Sequence, residues 1–203
     1  MKNSLNAGFT LIESLIAVTI LSFAIAGPLS TASHALVAAQ IARGQLTASY
    51  LAQEGVEYVR AMRDDAYLNA YSVGGSDVST AAWADFLDGS NPWSITQCRT
   101  TTCMYDPARP IMGTGSGQSL EQCSLAGYPH AACAPLHLVN GIYTEQTSDT
   151  GATSFVRTVQ VLDVLDTGGN VVPNDKKVVS TVSWSFHGTS RSITVTDHLT
   201  PWQ

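Results

Sequence analysis

Charge is scarce in this sequence, and positive charge scarcer still. Charged residues make up 13% of 203, with ten Lys and Arg against sixteen Asp and Glu, for a net charge of −6. Nowhere do basic residues cluster, and Lys176, Lys177 and Arg191 are too few and too scattered to form a basic surface. Nucleic acid and anionic lipid headgroups are therefore poor partners for this chain. Also missing are a Gly-x-Ser-x-Gly elbow, a dinucleotide fingerprint and a phosphate-binding loop, since the glycine-rich run at 113–117 is not followed by Lys. The sequence thus offers no catalytic residues and no cofactor site, and it reads as a non-enzyme.

Chelating spacings are absent as well. Cys98, Cys103, Cys123 and Cys133 lie within 36 residues at intervals that do not repeat a two-residue step, so a zinc site is not expected. In an exported chain an even number of cysteines in a Gly-, Ser- and Pro-rich region reads as two disulfides, with three connectivities open. His130 and His137 flank Cys133, but no carboxylate neighbours them at ligand spacing. Asp163, Asp166, Asn170, Asn174 and Asp175 crowd one turn and could offer oxygen ligands to calcium. They lack an EF-hand spacing, and a solvated turn is the simpler reading.

Proline is missing from Leu29 to Asn69, and glycine occurs there only at 44 and 55. Val37, Ile41, Gly44, Ala48, Leu51, Gly55, Tyr58 and Met62 step by four and three along one face, predicting an amphipathic helix over 29–69. Arg60 is placed to pair with Glu57 or Asp64 one turn away. Upstream lies an apolar run, Phe9 to Ala26, whose 18 residues carry one charge, Glu13. Joined end to end, the two segments make a helix of roughly 60 residues, about 90 Å long at about 1.5 Å per residue. Pro28 removes a backbone donor between them, and a kink is expected there.

Past Tyr71 the helical period fails. Residues 70–141 are expected to be an irregular region stapled by the disulfides, and 142–203 an antiparallel sheet. Strands are expected at 155–164, 177–186 and 191–199, joined by turns at 166–170 and 187–190, with a further strand in "GIYTEQ". In the second strand Val178, Val182, Trp184 and Phe186 share the packed face. Trp83, Trp93 and Trp202 are candidates for either core or exposed aromatics.

Three readings compete for the N-terminus. A secretory signal would be cleaved after Ala26, in the small-x-small stretch Ala24-Ile25-Ala26. A plain membrane anchor would have to tolerate Glu13 at a cost of about 2.5 to 3.5 kcal/mol. The third follows from "GFTLIESLIAVTIL", which resembles the type IV prepilin signature. The resemblance implies that residues 1–8 are a leader, that a prepilin peptidase cleaves between Gly8 and Phe9, and that Phe9 is then N-methylated. It further implies that residues 9–28 span the inner membrane before assembly, with the globular part outside the cytoplasm. Glu13 would then meet the N-terminal amine of a neighbouring subunit in a pilus or periplasmic filament. "LAQEGVEYVRAMRDD" and "VSWSFHGTSRSITVTDHLTPW" resemble the helix end and closing hairpin of minor and pilus-modification-type pilins. The implied fold is α+β, a long N-terminal helix packed on a C-terminal antiparallel sheet, and the implied partners are other pilin subunits. A pseudopilin of a type II secretion or DNA-uptake system is the related alternative; a secreted binding protein cleaved after Ala26 is the unrelated one.

Overall fold

The computed structural model describes residues 10–108, 120–123, 133–145 and 151–201. It divides into two compact units, residues 1–43 and 44–203. A single helix, α1, is assigned to Leu11–Val73, and Pro28 lies inside it without ending it. The helix stops four residues later than the sequence pattern indicates. Gly74 supplies the stop: it takes φ +79°, a left-handed conformation that costs glycine little, while its N–H still bonds the Ala70 carbonyl at 3.1 Å.

In the second unit, α1 buries Ala48, Leu51, Ala52, Gly55, Val56, Val59, Met62 and Ala66. Four of these belong to the periodic face read from the sequence. Tyr58 sits at the edge of that face, and Val59 takes the central place. Small residues dominate the stripe, so the helix lies close to the sheet. At Gly55 an added Cβ would meet Ser180 Cβ at 3.1 Å and Val159 Cγ2 at 3.2 Å, with the Ser180 hydroxyl nearer still. Gly55→Ala is therefore expected to lower stability by about 1 to 3 kcal/mol through overpacking. The buried Ser180 hydroxyl has no hydrogen-bond partner among the described residues, so Ser180→Ala should cost little alone and should recover part of the Gly55→Ala loss. Urea unfolding of the two single variants and the double variant checks this.

The described residues between 70 and 141 hold more regular structure than their sequence indicates. A second helix, α2, runs over Val78–Asp88, capped by the Asp77 carboxylate, which accepts from the Thr80 N–H at 3.1 Å. That bond holds the Asp77 carboxyl below its usual range. Ala82, Trp83, Phe86 and Leu87 form its buried face, and Trp93 is buried beyond it. A short 3₁₀ turn at Thr96–Cys98 follows, then three strands: β1 (Cys103–Tyr105), β2 (Leu120–Gln122) and β3 (Pro135–Val139). These correct the expectation of an irregular region, and they place the start of the sheet at Cys103 instead of 142.

The remaining strands are β4 (Ile142–Thr144), β5 (Ala152–Leu165), β6 (Val171–Phe186) and β7 (Thr189–Leu199). All seven form one antiparallel sheet. β5 is its hub: one edge pairs with β6, which carries β7 beyond it, while the other edge is shared between β1 and β3. Turn chemistry sets the registers. β3 and β4 turn through Asn140 and Gly141 at φ +52° and +85°, and β6 and β7 through His187 and Gly188 at +50° and +78°. On β6 the buried positions are Lys176, Val178, Ser180, Val182 and Trp184, a strict alternation against the helix. The architecture is α+β, a type IV pilin-like arrangement of a long N-terminal helix on a C-terminal antiparallel sheet.

Candidate functional site: the apolar N-terminal helix segment

Every residue from 10 to 40 is exposed, although the segment holds much of the chain's Leu, Ile and Val. Leu11, Phe23 and Leu29 are each at least 70% exposed. A window of 18 residues in this helix reaches a mean hydropathy of 1.9, long and apolar enough to cross a membrane. The hydroxyls in it are turned inward to the backbone. Ser14 donates to the Leu11 carbonyl at 2.9 Å, Thr19 to Ile16 and Ser22 to Val18 at 2.8 Å each. Past Pro28, Thr31 donates to the Pro28 carbonyl at 2.9 Å. No hydroxyl in this group needs water, which is the condition for placing them in lipid or in a bundle of helices.

Glu13 sits in the first turn of α1 and is exposed. Its N–H bonds the Thr10 carbonyl at 3.1 Å and reaches the Thr10 hydroxyl at 3.4 Å. Thr10-Leu11-Ile12-Glu13 thus has the form of a capping box, and a carboxylate at this position favours the helix dipole. Glu13 has a local role before any partner is considered. Gly8 and Phe9, the residues of the expected cleavage site, lie outside the described residues.

A model of the prokaryotic N-terminal methylation motif matches residues 3–27. The chain carries the type IV prepilin signature. No curated protein and no solved structure matches the chain significantly. The prepilin signature implies processing by a prepilin peptidase and assembly with other pilins. Together with the one apolar N-terminal helix it fits a single-pass inner-membrane anchor before assembly. Motif and fold point to a structural subunit.

The other sequence candidates are placed as follows. Cys98 pairs with Cys103, and Cys123 with Cys133, at Cα separations of 5.5 and 4.6 Å. The first ties the 3₁₀ turn to β1, and the second ties the end of β2 to the approach of β3. His137 lies on β3, while His130 and Trp202 fall outside the described residues. Trp83, Trp93 and Trp184 are all buried. The crowded turn uses its carboxylates internally. Asp166 accepts from the N–H groups of Gly168 and Asn170 at 2.8 and 2.9 Å, which lowers its pKa, Asp163 pairs with Lys176 at 2.6 Å, and Asp175 meets His198 at 2.9 Å. No group of three metal-binding side chains occurs among the described residues.

What the sequence did not reveal is the buried charge under the helix. Arg157 of β5 is fully buried; it bonds Glu54 of α1 at 2.5 Å and the Tyr105 carbonyl at 3.2 Å, with its guanidinium 3.7 Å from the centre of the Tyr105 ring. Tyr58 stacks on the far face of that ring. The alternation along β5 places residue 157 inward, so the inward Arg was readable as an anomaly in the strand pattern. Arg60 turns to Glu57 and to Asp197 of β7 instead of Asp64, a second helix-to-sheet contact that helical spacing alone does not show.

Proposed function

We propose that this protein is a structural subunit of a type IV pilus-like filament, of the minor or pilus-modification type. The prepilin signature on an exposed apolar helix segment carries this reading. Residues 1–8 form the leader, Gly8-Phe9 is the scissile bond, and Phe9 becomes the methylated N-terminus. Residues 9–28 hold the unassembled subunit in the inner membrane with the globular part outside the cytoplasm. On assembly the same surface moves from lipid into a bundle of neighbouring helices, two apolar environments of similar character. Transfer between them costs little, so polar contacts decide register. Glu13 supplies that contact by pairing with the amine of Phe9 on a neighbouring subunit, since a buried carboxylate and a buried ammonium are each unfavourable alone. Pro28 places a bend between the anchor and the half of α1 that packs on the sheet.

The minor-type assignment rests on the resemblance of residues 51–65 and 182–202 to such subunits, and a pseudopilin of a secretion or DNA-uptake machine shares every other feature. Mass spectrometry of the mature N-terminus tests the reading. A chain beginning at N-methylated Phe9 is expected. One beginning at Gly27 would make the protein a secreted one and remove the filament role; such a cut would fall inside α1, which runs through Ala26 unbroken.

A further inference from the structure

The sheet ends at β7, and no strand among the described residues pairs with its outer edge. Residues Thr189 to Leu199 run along that edge without proline, and their pairing with β6 shows no bulge. A long straight edge is an open template for another strand unless charge guards it. The turn decides which backbone groups the edge offers. His187 and Gly188 close a two-residue hairpin, so Phe186 and Thr189 bond each other through both backbone groups. From Thr189 onward the odd residues turn their N–H and C=O toward β6, while Ser190, Ser192, Thr194, Thr196 and His198 turn theirs outward. The side chains of this outward set are all exposed. α1 passes over β5 and β6, where Gly55 meets Val159 and Ser180, and leaves the edge open.

Arg191, Ile193, Val195 and Asp197 point to the helix side, opposite Trp184, Val182, Ser180 and Val178, which are buried there. Charges turned inward along an edge normally repel a visiting strand, because each would be left unpaired. Here there is one of each sign, and the two stand at equal distances from Thr194. We propose that β7 pairs antiparallel with β7 of a second copy of this chain, about a twofold axis through Thr194. In that register Arg191 faces Asp197 across the axis in both directions, Ile193 faces Val195, Ser192 faces Thr196, and Ser190 faces His198. The outward backbone groups then stand opposite one another and exchange about ten N–H···O bonds. Arg191 and Asp197 meet at the positions between those bonds, where facing side chains come closest. Both are ready for the contact: Arg191 Nε is buried without a partner among the described residues, and Arg60 holds Asp197 through Oδ2, leaving Oδ1. Sliding the pair by one rung puts Arg191 opposite Val195 or Leu199 and separates the charges. A foreign strand would strand them too, so the edge selects its own kind.

The axis stands perpendicular to the sheet, so joined copies carry α1 on one face, running in opposite directions. Subunits of one filament run the same way; under the proposed function, on which this step alone rests, the contact joins separate filaments. All four cysteines are bonded in disulfides, so an introduced thiol reports by itself. In the full chain held in detergent, mild oxidation of Thr194→Cys is expected to give a disulfide-linked dimer, since the axis brings residue 194 onto its own copy at a Cα separation of about 5.5 Å. Ser190→Cys is equally exposed on the same strand, yet lies about 26 Å from its mate in this register, at about 3.3 Å per residue, and should cross-link at least about tenfold less. Adding Arg191→Asp to Thr194→Cys sets like charges opposite each other twice and should lower the yield by about tenfold or more. Thr196→Pro in the same background removes an edge-facing N–H and no bond to β6, and should lower it as well. Equal yields at 194 and 190 would overturn the proposal, as would a yield at 194 that neither Arg191→Asp nor Thr196→Pro reduces. The cross-link reads the edge whatever the N-terminus proves to be, and the mass of the N-terminus reads the filament role whatever the edge does.

Discussion

Glu13→Ala is expected to leave leader cleavage and membrane insertion intact and to reduce incorporation into filaments by about a hundredfold or more. Leaving one member of a buried ion pair without its partner costs about 3 to 5 kcal/mol, and each 1.4 kcal/mol is about tenfold in an equilibrium. The membrane-stored subunit does not make the contact, so insertion should be indifferent to it. A second explanation of Glu13 has to be separated, because Thr10 and Glu13 also form the frame of a capping box. Loss of a helix cap costs about 0.5 to 2 kcal/mol, too small for the expected defect but large enough to blur it. Glu13→Gln resolves the two. Glutamine serves in a capping box as glutamate does, yet it carries no charge for the Phe9 amine. If assembly depends on the charge pair, Gln fails as Ala fails; if it depends on the cap, Gln restores filaments. Quantifying the subunit in sheared filaments against the membrane pool, for wild type and both variants, gives the answer.

Where the sequence was legible, the reason is a strong period or strong turn chemistry. The half of the long helix after Pro28 showed as a run free of proline with apolar and small residues stepping by four and three, and the last three strands as alternation between glycine-containing turns. Its end lies four residues beyond the periodic pattern, because Tyr71, Ser72 and Val73 are weak helix formers while the stop lies in the Gly74-Gly75 pair that follows. α2 gives little signal in the sequence, because "VSTAAWADFLD" is short and rich in weak helix formers. Its two boundary signals, Asp77 before and Gly89 after, were there to be read. The strands β1 to β3 were not legible for a different reason: at three to five residues they are too short for any period, β1 and β3 are placed by partners on β5 such as Val159 and Val156, far along the chain, and β2 is placed only by β1. Of the N-terminal site, the motif was fully legible, since a lone carboxylate in an apolar run is a local signal. Glu54, Tyr105 and Arg157 form a cluster from three distant parts of the chain, and no local pattern connects them.

That cluster carries the second large effect. Glu54→Ala is expected to destabilise the globular unit by about 3 to 5 kcal/mol near neutral pH, the cost of stranding a buried charge. For a unit of this size it corresponds to a fall in Tm of roughly 6 to 20 °C. The asymmetry of the pair sets the size: Glu54 is 41% exposed at its side chain and could return to water, whereas Arg157 is fully buried and cannot. Its Nε already lacks a partner among the described residues, and the contacts left to the guanidinium without Glu54 are the Tyr105 carbonyl and the face of the Tyr105 ring, both uncharged. Urea unfolding of wild type and Glu54→Ala measures the loss. A change below about 1 kcal/mol, the size of an exposed pair, would show that Glu54 is not what compensates the buried guanidinium.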